Sequence, residues 1–196
     1  MPIPKGSRLN PGQTRLDVVR RAEPLLYERG LAGIGVAELC ATLQISKETL
    51  YRHFGSKAGL VSAVLQTRSE KVVSWVDRAA AQGGSDAFDN LAAVFDALKE
   101  WHSSEGFRGC AIVNAAAQQR TGPPGDVAER HLDALLGILV SIARRAEVVD
   151  SDLLARQWLM LVEGATVVAD MRGDLEAASD AKHAALALLR AAACDG

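Results

Sequence analysis

Lys47, Glu48, Thr49, Tyr51, Arg52 and His53 crowd into seven residues, a density of cationic and hydrogen-bonding side chains that suits contact with a polyanion. Hydroxyls such as those of Thr49 and Tyr51 can donate to phosphate oxygens, Lys47 and Arg52 add positive charge, and His53 can donate a further hydrogen bond. Catalysis finds no comparable constellation. There is no glycine-rich phosphate loop, no nucleophile elbow and no His-x-x-x-His pair, and the four histidines, His53, His102, His131 and His183, are too dispersed for a metal site. The three cysteines, Cys40, Cys110 and Cys194, lack paired spacing, so neither a disulfide framework nor a cysteine-based zinc site is expected. These observations predict no enzyme activity, no catalytic residues, no metal and no cofactor.

What must position the cluster is a pair of short helices. Val36, Leu39, Cys40 and Leu43 share one side of a first helix over 36–43, a turn follows at Gln44-Ile45, and Ser46 is a fitting N-cap for a second helix over 47–54 because its hydroxyl can accept a free amide proton. Leu39, Leu43, Ile45 and Leu50 would form the small core that fixes the angle between them. This is a helix-turn-helix pattern, and its second helix is the one that enters a major groove. Upstream, Leu16, Val19, Ala22, Leu25 and Leu26 recur at helical steps over 13–29, with Gly30 as a C-cap and Pro24 predicting a kink. Residues 1–12, with three prolines, two glycines and two cations, read as a flexible arm.

Downstream of Gly55-Ser56, where Ser56 is again a plausible N-cap, the chain reads as long helices over 57–81, 86–103, 108–120, 126–146, 151–171 and 175–193, separated by breakers that include a turn at Thr121 to Gly125. No alternating strand and no repeat interrupts them. The expectation is an all-α chain of about nine helices: an arm (1–12), a helix-turn-helix domain (13–56) and a helical regulatory and dimerisation domain (57–196). Charge divides along the same line. The net charge of −2 conceals +4 over residues 1–60 and −6 over the rest, a basic head on an acidic body. No signal-like apolar run opens the sequence and no stretch is long enough to span a bilayer, so a cytoplasmic protein without a membrane partner is expected.

Gly30, the run Ile45 to Phe54 and the run Ser56-Lys57-Ala58-Gly59-Leu60 together resemble the TetR family of transcriptional regulators, over about residues 13–65. The pattern Ser-Lys-x-Thr-Leu-Tyr-x-His-Phe-x-Ser-Lys is specific, since generic helix-turn-helix proteins share neither the aromatic pair nor the trailing Ser-Lys. The resemblance implies that Thr49, Tyr51 and His53 hold phosphates, that Lys57 clamps a phosphate at the start of helix 4, and that Lys47 and Glu48 lie nearest the bases of double-stranded DNA. A cation at the first turn of a helix opposes the helix dipole, which also points to an anionic partner for Lys57. One departure stands out: Ile34-Gly35 replaces the hydroxyl pair usual before helix 2, leaving a tolerable cap but removing a phosphate contact. A helical module that has lost DNA binding is the rival this departure raises.

For the body the resemblance implies a homodimer that binds a palindromic operator, represses transcription in the family's usual mode and is released by a small-molecule effector. Trp158, Leu159, Val162, Ala165, Thr166 and Ala169 make one stripe of apolar and small residues, and Ala184, Ala185, Leu188, Leu189 and Ala192 another. Either stripe could serve a core within one chain; the need of a two-fold DNA site for a dimer favours a subunit interface. Aromatic walls with few polar groups predict a pocket from Trp75, Phe88, Phe95, Trp101, His102, Phe107, Cys110, Ile112, Asn114 and Trp158. The segment Phe107 to Ala117 resembles the sixth helix of a subgroup with an Arg-Gly-Cys start, whose displacement by a ligand would tilt helix 4 and change the separation of half-sites that lie roughly 34 Å apart. Cys110 with Arg108 two residues earlier would be a redox sensor only if the cation stabilised a thiolate; a buried inert thiol is the ordinary state.

Overall fold

Proline opens the first helix, where a missing amide leaves no hydrogen bond unmade. In the computed structural model, which describes residues 11–31 and 33–194, nine α-helices and no strands form among the described residues: α1 (Pro11–Arg29), α2 (Val36–Thr42), α3 (Lys47–Phe54), α4 (Lys57–Gln82), α5 (Ala87–His102), α6 (Ala111–Gln118), α7 (Pro123–Arg145), α8 (Ser151–Arg172) and α9 (Ala177–Cys194). Helix α1 begins inside the stretch expected as an arm over 1–12, whose first ten residues lie outside the described part. Helix α1 runs through Pro24 without interruption, so the predicted kink does not divide it.

Local chemistry sets most boundaries. Ser46 Oγ accepts from the Thr49 amide and Ser56 Oγ from the Gly59 amide, each at 3.0 Å, satisfying first-turn donors that no carbonyl could reach. Between α3 and α4, Gly55 has φ of 72°, the left-handed region that other residues resist. Two expectations shift. The prolines at 123 and 124 occupy the first turn of α7 rather than a separate turn, because their fixed φ suits a helix start. The helix expected over 108–120 covers only Ala111–Gln118, since Gly109 adopts φ of 70° and a Cβ there would lie 2.7 Å from Asp170 Oδ2. Arg108-Gly109-Cys110 is thus an approach to α6 and not its first turn.

Two apolar cores organise the chain. The head core joins Val18, Val19, Ala22 and Leu26 of α1 to Ile34, Leu39, Leu43 and Leu50, and it extends into Leu60, Val61, Val64 and Leu65 of α4, Ile112 and Ala115 of α6, and Val127 and Ala128 of α7. The body core packs α5, α7, α8 and α9 around Leu91, Phe95, Leu139, Ile142, Trp158 and Leu189. Helix α4 belongs to both, its N-terminal half in the head and its C-terminal half, with Val76 and Ala80, in the body. A single helix of 26 residues therefore joins the two cores.

Candidate nucleic-acid interface

Leu50 anchors α3 to the head, fully buried, and the same rotation turns the polar side chains out. Lys47, Glu48 and Arg52 are exposed, as is Tyr51, with half of its surface accessible although it is a large aromatic. Thr49 and His53 are half-buried; Thr49 Oγ1 lies 2.9 Å from Ser46 Oγ, so the cap also orients the hydroxyl expected to meet a phosphate. Arg52 and Glu48 form only a loose pair at 3.8 Å across one helical turn. Such an exposed pair contributes little and leaves both groups free to rearrange on DNA. Phe54 is half-buried in the head core, and the guanidinium of Arg15 sits 5.2 Å above its ring, bringing a further cation from α1 to the end of α3. Sequence spacing did not single out Arg15, because its partner is 39 residues away.

Lys57 has a structural role beside the phosphate contact expected of it. Its ammonium donates to the carbonyls of Leu31 and Ile34, both at 2.6 Å, and so fastens the α1–α2 loop to the start of α4. These carbonyls answer the mismatch with the helix dipole, and only one of the three ammonium donors remains for a phosphate. The Ile34-Gly35 departure is also explained: Ile34 is buried in the head core, while Gly35 caps α2 without a side-chain bond.

In the body the residues expected to form one pocket separate. Trp75 and Trp101 line a cavity of about 390 Å³ with Lys71 and Glu100, and the two indoles meet edge to face at 6.0 Å. Phe107 meets Trp101 edge to face and His102 lies tilted against it, and Phe88 packs at the edge of the body core. Phe95, Ile112 and Trp158 are closed off in the cores, with the Trp158 indole N–H satisfied by the Ala185 carbonyl at 3.2 Å. Asn114 lines a second, larger cavity of about 710 Å³ at the junction of head and body, walled by α1, α4 and α6. Around it α6 is fastened to the head at both ends. Tyr27 Oη donates to the Gly109 carbonyl (3.0 Å) and accepts from the Arg108 amide (2.7 Å), and the Leu31 amide donates to Gln118 Oε1 (3.0 Å). Glu23, paired with Arg68 at 3.0 Å and Lys71 at 2.6 Å, ties α1 to α4 beside it.

Cys110 is buried against His131, whose Nε2 lies 3.8 Å from its sulfur and whose Nδ1 meets Ser69 Oγ at 3.0 Å. Burial pushes the Cys110 thiol up to about 11 and His131 down to about 4, so both stay neutral near pH 7. Arg108 is exposed and does not reverse this, so the burial of Cys110 favours its neutral thiol. Burial likewise lowers His102, whose Nε2 lies 3.3 Å from Thr166 Oγ1 while Nδ1 has no partner, and raises Glu163.

Comparison with known proteins matches residues 18–64 to the family described as bacterial regulatory proteins, tetR family. The match covers most of α1, all of α2 and α3 and the first turns of α4. FasR of Mycolicibacterium smegmatis, a transcriptional activator of helix-turn-helix type, is 30% identical over 171 residues, 79% of this chain and 76% of that protein. The chain belongs to the TetR family of transcriptional regulators. Among solved structures, SCO4454 of Streptomyces coelicolor superposes with a TM-score of 0.81 at 25% identity over 93% of this chain and 97% of its own, and sav143 of Streptomyces avermitilis with 0.78 at 28% identity over 94% and 98%. A TetR-family chain is a DNA-binding regulator, not an enzyme, and among the described residues no helix is long and apolar enough to cross a membrane.

Within this TetR-family regulator the stripes expected to pair subunits face inward. Trp158, Val162, Ala165, Thr166 and Ala169 of α8, and Ala185 and Leu189 of α9, are buried in the body core of a single chain, with Leu188 half-buried against it. The opposite face of α8 is the one left uncovered. Leu153, Met160, Val167 and Met171 stand exposed there at steps of seven and four residues, Met160 at 66% and Met171 at 72%, and a Cβ at Gly164 between them would meet nothing within 4 Å.

Proposed function

We propose that this regulator binds a palindromic DNA site as a homodimer, reads it with α3, and is released when a small molecule enters the body or the junction cavity. The observation that carries the proposal is the uncovered stripe Leu153, Met160, Gly164, Val167 and Met171 on the same chain as an exposed reading helix. Apolar side chains at seven-residue spacing cost free energy in water and are relieved by a matching helix, and the small Gly164 permits close approach. Two-fold pairing of this face would present two α3 helices to successive major-groove turns. In this reading Lys47 and Glu48 discriminate bases, and Thr49, Tyr51, Arg52 and His53 position the backbone.

Release follows from the fastenings of α6. A ligand that displaces α6 pulls on Tyr27 and Gln118 at once, and through α1 and α4 on the head. The regulator represses where its site overlaps a promoter; FasR, its relative, is an activator. The deciding experiment is selection of bound duplexes from a random pool at near-physiological salt, with wild type and Tyr51→Ala. The expected outcome is a palindrome enriched by the wild type and lost in the variant. No enrichment by a folded dimer would overturn the proposal in favour of a module that no longer reads DNA.

A further inference from the structure

The junction cavity has walls of mixed character, and one half-buried carboxylate in them, Asp170, bears on what it would hold. At about 710 Å³ it falls in the range of small-molecule sites, and its floor of Leu26, Val64, Leu65 and Ala115 is apolar. Two of its three arginines are held in ion pairs within the chain, Arg68 with Glu23 at 3.0 Å, whose single charge Lys71 shares, and Arg29 with Glu38 at 2.7 Å. Arg108 has no acidic partner but stands exposed at the rim. Against it are two lining carboxylates without an ion-pair or hydrogen-bond partner among the described residues, Glu28 at the surface and Asp170 half-buried on α8. Asp170 lies so close to the backbone of Gly109 that any side chain there would collide with its carboxylate. A half-buried carboxylate without a partner, in the wall of a cavity that also offers apolar surface, favours a positive charge and repels a negative one.

We propose that the α1–α4–α6 junction is a binding site for a small organic cation, a protonated amine on an apolar body, with the ammonium on Asp170 and the body over Leu26, Val64, Leu65 and Ala115. The consequence for DNA rests on the reading given above, in which a ligand loosens the operator complex. The cation sits between the two fastenings of α6, Tyr27 to Arg108 and Gly109 at one end and Gln118 to Leu31 at the other, and so touches head and body together.

The test is a fluorescence titration of the full chain, without DNA, using naphthylmethylammonium and naphthoate, two probes with one apolar body and opposite charge. Saturable binding of the ammonium, roughly tenfold or more tighter than naphthoate, is expected, with a loss of similar size in Asp170→Asn, as befits a charge-assisted contact. Ala111→Leu, which fills the groove and keeps the carboxylate, should lose binding as well, while unchanged melting curves show that both variants fold. Equal affinity for the two probes, no saturation by the ammonium, or wild-type affinity in a folded Asp170→Asn overturns the proposal. A second arm adds the ammonium to an operator complex. Release from wild type but not from Asp170→Asn supports the site and its coupling, whereas saturable binding without release keeps the site and removes ligand control from the proposed function.

Discussion

Lys57 shows how tertiary packing gives a side chain a role that its charge and position alone do not reveal. A lysine at the first turn of a helix in a DNA-binding motif points to a phosphate, yet the carbonyls of Leu31 and Ile34 hold the ammonium. Lys57→Met should therefore destabilise the head without any DNA present, by about 1.5–3 kcal/mol, the range for hydrogen bonds to a charged group. Chemical denaturation of the free protein measures this, and an unchanged midpoint would return Lys57 to a purely phosphate-binding role. His131 makes a second prediction at this scale. Its folded value of about 4 lies below the ordinary 6.5, so the unfolded chain binds the extra proton first as pH falls. Stability contributed by the neutral imidazole is complete above pH 6.5 and is lost towards pH 4, by at most about 3 kcal/mol at 1.36 kcal/mol per unit. His102, also lowered by burial, adds to this slope. Glu163, raised by burial, acts in the opposite sense, losing stability as pH rises through and above 4.5. Thermal unfolding between pH 7 and 5 should show a decline that is shallower in His131→Asn; equal slopes would remove His131 as its source.

Element by element, the head was legible because its signals are local. Ser46 and Ser56 cap within three residues of the amides they satisfy, and Leu39, Leu43 and Leu50 repeat on helical steps. Helix α8 defeated the same reasoning. It is apolar on both faces, Leu154, Trp158, Val162 and Ala165 on one and Leu153, Met160, Val167 and Met171 on the other. Periodicity cannot choose between two such stripes; the α7 and α9 surfaces that cover one of them do. The junction cavity was equally hidden, since Tyr27, Arg68 and Asp170 come together only through tertiary packing. Asn114 alone among its lining was anticipated, as a polar side chain in need of a partner, and that partner is the Arg108 carbonyl at 2.8 Å. Gln118 at the far end of α6 makes this scale testable. Removing its bond to the Leu31 amide in Gln118→Ala should cost about 1 kcal/mol locally, or about fivefold faster hydrogen exchange over 31–35 with α9 unaffected. Unchanged exchange would mean that α6 does not hold the loop.

For the whole molecule the decisive quantity is how many cations meet DNA at once. One chain brings a head of net +4 and a body of net −6, so a single subunit is a weak polyanion binder whose acidic part must be kept away. Pairing through the outer face of α8 would double the number of reading helices and leave the charge of each chain unchanged. Met160→Glu puts a carboxylate into the middle of that face, where the side chain is 66% exposed in one chain and would be desolvated in a pair. The substitution should leave the fold intact, because Met160 supports no core, and should shift sedimentation from twice 20.8 kDa to 20.8 kDa. Leu189→Glu, in the body core, should instead unfold the chain. The affinity of the Met160→Glu monomer for a two-fold site should fall steeply, and the slope of log affinity against log salt should drop to about half, because only one head's phosphate contacts release counterions. Halving of the slope separates loss of pairing from loss of reading: Tyr51→Ala weakens each head in a dimer, whereas Met160→Glu leaves each head whole and removes its neighbour. A monomeric Met160→Glu with the wild-type slope would mean that one chain contacts the entire site, and the uncovered face of α8 would then serve some purpose other than DNA recognition.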